Sequence, residues 1–136
     1  MSDAASRLLA AVKASLAADP TLEALLGGPG RIHDMAPRNA PLPYLAVDPV
    51  ASRPIGGVEA EVEEHDLTLT AWSRAGGKRE ALAITDRADA RLAAAAPAPV
   101  GHALASMRLV RREARIARDR ITATATLVYR AVTEPV

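Results

Sequence analysis

An α+β domain is the fold class this sequence predicts, a mostly antiparallel sheet with helices packed on one face and a long C-terminal β-hairpin. Three observations predict it. Apolar residues recur at helical spacing in two stretches, from Ala5 to Leu16 and from Ala81 to Ala95. They alternate at a spacing of two from about Val62 to Ser73. Two further alternating runs in the last third fold back on one another about a polar turn. The 136 residues suit one domain, 1–136, rather than two.

The first helix places Ala5, Leu8, Leu9, Val12 and Leu16 on one stripe, with Arg7 and Lys13 off it and Asp3 at its start as a cap. A second helix restarts at Asp19-Pro20, where Asp suits the N-cap and the ring of Pro pre-sets the helical φ. Gly27-Gly28 stops it with left-handed residues. From Pro29 to Pro54 the chain is proline-dense, with short strands predicted at Arg31–Met35 and Tyr44–Val47. Proline removes a ladder donor, which predicts edge positions for both. Residues 50–60 read as a mobile loop.

In the strand to Ser73, Leu67, Leu69 and Ala71 point one way and Thr68, Thr70 and Trp72 the other. Gly76-Gly77 turns the chain into a helix from about Lys78 to Ala95, striped with Ala81, Ile84, Thr85, Ala88, Leu92 and Ala95. The final hairpin is read with Arg118-Asp119 as a two-residue turn. That register sets Ile116 against Ile121, Ala114 against Ala123, Val110 against Leu127 and Arg108 against Tyr129, an apolar face, and Arg115, Glu113 and Arg111 against Thr122, Thr124 and Thr126. It predicts a core between Val110, Ile116, Ile121 and Leu127 and two Ala-rich helices.

Composition narrows the function. There are 31 Ala, no Phe, one Trp and two Tyr, which predicts a thin interior leaning on a partner or on self-association. No Cys means no disulfide, thiolate chemistry or Cys-ligated zinc. No apolar run reaches a membrane span, and the Met1 end lacks a signal peptide's layout. A net charge of +1 gives no bulk attraction to nucleic acid or lipid.

Catalytic patterns are weak. His33-Asp34 and His65-Asp66 are neighbours on strands, so their side chains diverge, and no nucleophile motif accompanies them. His102 follows Gly101 in a loop, leaving three unconnected histidines, none at metal-ligand spacing. Gly76-Gly77-Lys78 lacks the flanking Gly and Ser/Thr of a phosphate loop and reads as an ordinary turn. No catalytic, cofactor-binding or metal residue is assigned.

Two charge clusters remain. Glu59, Glu61, Glu63, Glu64 and Asp66 form an acidic stretch; Arg108, Arg111, Arg112, Arg115, Arg118 and Arg120 crowd the hairpin. They read either as solvated faces or as complementary protein surfaces, with Glu59, Glu61, Glu63, Glu64, Arg111 and Arg115 as the candidate subunit or tube contacts.

Several strings, in order, resemble one family. They are Leu16-Ala17-Ala18-Asp19-Pro20-Thr21-Leu22 with Leu26-Gly27-Gly28, Arg31-Ile32-His33-Asp34 with Ala36-Pro37, and Pro41-Leu42-Pro43-Tyr44-Leu45. His65-Asp66-Leu67-Thr68-Leu69-Thr70-Ala71-Trp72-Ser73 follows, then Gly77 and the Ala-rich helix ending near Leu92. Together they resemble the tail-completion, or tail-terminator, proteins of long-tailed phages, prophages and gene transfer agents. The resemblance implies a non-enzymatic virion protein without cofactor, made in the bacterial cytoplasm. Its copies close a ring, usually a hexamer, at the head-proximal end of the tail tube. The implied partners are further copies, the major tail tube protein and the head-to-tail connector or stopper, with DNA passing through the lumen unread. Alternatives are a connector or stopper ring itself, or a small-ligand-binding α+β dimer.

Overall fold

The computed structural model describes residues 3–56 and 61–136. Its order is α1 (Asp3–Ala17), α2 (Pro20–Leu26), β1 (Ile32–His33), β2 (Tyr44–Pro54), β3 (Glu63–Ser73), α3 (Arg79–Ala94), β4 (His102–Ile116) and β5 (Ala123–Pro135). The five strands lie in the order β1-β2-β3-β5-β4, and only the two-residue β1–β2 pairing is parallel. The α+β class and the one-sided helix layer predicted from periodicity are what the chain adopts.

The helices cover the face on which Leu45, Val47, Leu67, Leu69, Ala71, Ala125, Leu127 and Tyr129 are buried. Leu8, Val12 and Leu16 of α1, Leu22 and Leu26 of α2, and Ala81, Ile84, Ala88 and Leu92 of α3 meet them. Ala on α3 lets its backbone approach the sheet closely, and leucines carry most of the buried volume. Of the three aromatic residues only Tyr129 is in this core. Tyr44 and Trp72 stack on the opposite face with ring centroids 6.2 Å apart. That face carries no helix.

Several local expectations need correction. Asp3 is the first residue of α1, and its carboxylate is taken by Arg7 and His102. Asp19 does occupy the N-cap of α2, with Pro20 behind it, yet its side chain makes no cap bond. Arg87 of α3 claims it instead: Nε and Nη2 donate to the two carboxylate oxygens at 2.6 and 2.9 Å. Gly27 closes α2 with φ 85°, as expected. Ala95 lies just past α3 as its C-cap.

The first strand shrinks to Ile32–His33, and the second runs on to Pro54, so residues 50–54 are strand rather than loop. Antiparallel pairing with β3 supplies the ladder that single-strand patterning could not reveal, with Pro49 opposite Leu67 and a bulge between Pro49 and Ala51 that leaves Val50 without a register partner. Residues 57–60 of the expected loop lie outside the described residues.

The hairpin differs most. Ile116 pairs with Ala123, Ala114 with Ala125 and Arg115 with Thr124, two residues away from the expected register. A longer turn causes the shift. Ala117 N–H donates to Thr122 O and Arg120 N–H to Ala117 O, with Arg120 at φ 61°. The Asp119 carboxylate accepts from Ile121 N, Thr122 N and Thr122 Oγ1 at 2.9, 2.8 and 2.6 Å. A bulge in β4 at Leu109/Arg111 then turns Leu109 and Met107 inward, and a second at Leu104/Ser106 does the same for Leu104. Of the four residues expected to form the hairpin core, only Leu127 is buried. Val110, Ile116 and Ile121 are 48%, 39% and 46% exposed.

Candidate functional site

Pairing spreads the basic cluster along the sheet: Arg108 lies opposite Arg130, level with Asp66, and Arg111 opposite Val128 at mid-strand, while Arg115, Arg118 and Arg120 lie at the end away from Glu61 and Glu63. Glu63 pairs with Thr133 at one end of the β3–β5 ladder and Ser73 with Ala123 at the other. Ten steps at roughly 3.3 Å separate the ends by about 33 Å.

At the first end, Glu61 precedes β3 and is exposed, while Glu63 is half-buried. With Asp3, Ala4, Pro54, Val62 and His102 they line an open cleft of about 480 Å³. His102 Nε2 lies 3.1 Å from Asp3 Oδ2, which holds the Asp3 carboxyl below the usual carboxylate range. Glu59 lies outside the described residues. Glu64 does not belong to this acidic cleft. It points to the helix-free face, where Arg53 Nε donates to it at 2.9 Å. Arg53 also donates to Asp66 at 3.2 Å, and Arg130 Nε donates to the other Asp66 oxygen at 3.3 Å. Arg53 and Arg130 hold the Asp66 carboxyl low, and the two acids raise Arg53. The acidic stretch of the sequence is therefore split: Glu64 and Asp66 are neutralised within the chain, and Glu61 and Glu63 form no ion pair with any described residue.

At the far end the hairpin tip is basic. Arg115 is exposed and meets only its strand neighbour Glu113, at 3.6 Å. Arg118 and Arg120 of the tip, and Arg111 at mid-strand, are exposed and form no ion pair with a described residue. Arg112 is different, since it turns to the helix side and reaches Asp86 and Asp89 of α3 at 3.7 and 3.5 Å. The only acid in the turn, Asp119, is consumed by its three hydrogen bonds, which lower its carboxyl to about 2. Ile116 and Ile121 stand exposed among these arginines.

The three histidines share no contact with one another among the described residues, but each has a partner of its own. His65 is fully buried, with Nδ1 2.6 Å from Ser52 Oγ on β2 and Nε2 2.8 Å from Thr133 Oγ1 on β5. It bridges three strands, and burial lowers its pKa below 6.5. Among the described residues neither ring nitrogen bonds a carboxylate; both are spent on hydroxyls, and the ring ties the three strands together. His33 packs edge-on to Tyr44, with centroids 5.6 Å apart.

Gly76-Gly77 forms the expected turn, with φ 80° and 135°. Among the described residues no three His, Cys, Asp or Glu are placed to hold a metal. No helix among them is long and apolar enough to cross a membrane. A smaller cleft of about 130 Å³ lies beside Leu26, Arg31 and Ile32.

Sequence reasoning missed Arg53, which lay in the supposed loop, and the Tyr129–Asp89 hydrogen bond of 2.6 Å. The signal for Arg53 was available: extending the strand at Tyr44 to Pro54 pairs it with Glu64.

Comparisons with known proteins agree with this architecture. A search of the curated proteins gave no match. Among solved structures, a chain from the virion of a native gene transfer agent particle superposes with a TM-score of 0.85 at 26% identity, covering 96% of this chain and 97% of that one. The family model of tail completion protein gp17 matches residues 10–134. The chain, nearly its whole length matched, therefore belongs to the tail completion protein gp17 family of phage tail structural proteins.

Proposed function

We propose that copies of this chain close into a ring, a hexamer, at the head-proximal end of the tail tube. There the ring ends polymerisation of the major tail tube protein and presents the surface that joins the tail to the head connector. The observation that carries this reading is the family match across residues 10–134, supported by the gene transfer agent virion chain of the same fold. The placement of charge is consistent with it. A cyclic ring uses a heterologous interface, in which two different patches of each subunit meet. An acidic cleft and a basic tip at opposite ends of one sheet are such a pair.

A net charge of +1 also suits a conduit, because a strongly basic lumen would hold DNA by its phosphates. The role is structural, with no catalytic step and no cofactor, and the protein resides in the virion. Deleting the gene tests it. Overlong tails or tailless heads, rescued by supplying the chain, are expected; normal particles would contradict it. Heads carrying a ring but no tail would instead favour a connector or stopper position.

A further inference from the structure

We propose that the β4–β5 hairpin tip of one protomer seats in the cleft between Asp3, Glu61 and Glu63 of the next copy of this chain. The inference deepens the ring reading and rests on it. Three features of the tip fit a docking element. It projects past the last β3–β5 pair, Ser73 with Ala123, so β3 does not flank it. Its turn is fixed in advance by the three hydrogen bonds to Asp119, so little ordering entropy is lost on binding. It exposes Ile116 and Ile121 beside Arg115, Arg118 and Arg120, an apolar anchor ringed by cations.

The cleft offers the complement: Ala4, Pro54 and Val62 as apolar lining, and Glu61, Glu63 and Asp3 as acids. Glu61 and Glu63 are uncommitted to any described cation, unlike Glu64 and Asp66. This charge match selects a second copy as the occupant. The tip lies beyond Ser73, itself roughly 33 Å along the ladder from Glu63, which keeps tip and cleft from meeting within one chain.

Charge-swapped pairs test the contact by native mass spectrometry of the full chain. Variant one carries Arg115→Glu and Arg118→Glu; variant two carries Glu61→Lys and Glu63→Lys. Each alone should lose the wild-type oligomer, with at least a tenfold rise in dissociation constant. Their equal mixture should restore it as a ring alternating the two, because each reversed tip then finds a reversed cleft. Because the chain has no Cys, a Val62→Cys, Ile121→Cys double variant treated with a short bismaleimide gives a second readout. A ladder of cross-linked species is expected from the double variant and none beyond dimer from either single one. A wild-type ring that both reversed variants still form, without the ladder, overturns the docking and leaves the ring reading standing. A wild-type chain that stays monomeric together with a double variant that gives no ladder, or a mass that stops at the dimer, overturns the ring reading itself.

Discussion

The inner face of the sheet and the tip of its last hairpin carry the same alternation of apolar and polar residues, yet they meet opposite surroundings. Leu127 and Ile121 lie on the same hairpin; the first is 1% exposed and the second 46%. What separates them is the helix layer. α1, α2 and α3 cover the sheet from Leu45 to Ala125, and no described residue covers the hairpin beyond Ala123. Alternation thus reports which side chains share a face, and only a third dimension decides whether that face is core.

The largest test of this contrast is truncation on the covered side. Leu69→Ala removes a wholly buried side chain and should cost about 3 kcal/mol in urea unfolding. Breaking the tie between α2 and α3 comes next. Asp19→Ala leaves Arg87 without its two charged hydrogen bonds and should cost about 2 kcal/mol. Tyr129→Phe removes one hydrogen bond to Asp89, while Arg112 still reaches that carboxylate, and should cost about 1 kcal/mol. The bond to Asp89 and burial both hold the Tyr129 phenol protonated, burial being the larger cause.

The buried strand bridge gives a smaller, pH-dependent effect. Because the folded state lowers the His65 pKa below 6.5, the unfolded chain takes up its proton first as pH falls. Stability from this residue is complete above pH 6.5 and declines below it, so the urea midpoint should fall between pH 8 and pH 5. His65→Gln should flatten that decline. The carboxyls of Asp19, Asp66 and Asp119 are also lowered, but from 3.8, so their contribution is lost only in stronger acid. The smallest effect belongs to the uncovered tip: Ile121→Ala should change stability by less than about 0.5 kcal/mol while weakening assembly. A large loss of stability there would mean that the tip belongs to the core after all.

The same contrast explains what could be read from the residues. All eight elements were legible in order, because capping residues, glycine stops and periodicity are local signals. Gly27 and Asp19-Pro20 sit where their backbone preferences put them. Non-local choices were not legible. Whether the Asp19 carboxylate caps α2 or binds Arg87, 68 residues away, depends on helix packing. The hairpin register depended on how Asp119 builds its turn, and a shift of two residues preserves every side chain's face, so the pattern could not detect it. The bulge that moves Val110 out of the ladder leaves no mark in composition. Of the candidate contacts, Glu61, Glu63, Arg111 and Arg115 stand exposed or half-exposed, whereas Glu64 is spent on Arg53, a residue adjacent only after β2 and β3 pair.

The central claim is a ring at one end of a tail, and imaging of particles tests it most directly. A gold-labelled antibody against a tag following Val136, which is 89% exposed, should decorate the junction between head and tail and nowhere else. Label spread along the tube, or gathered at the distal tip, would contradict it.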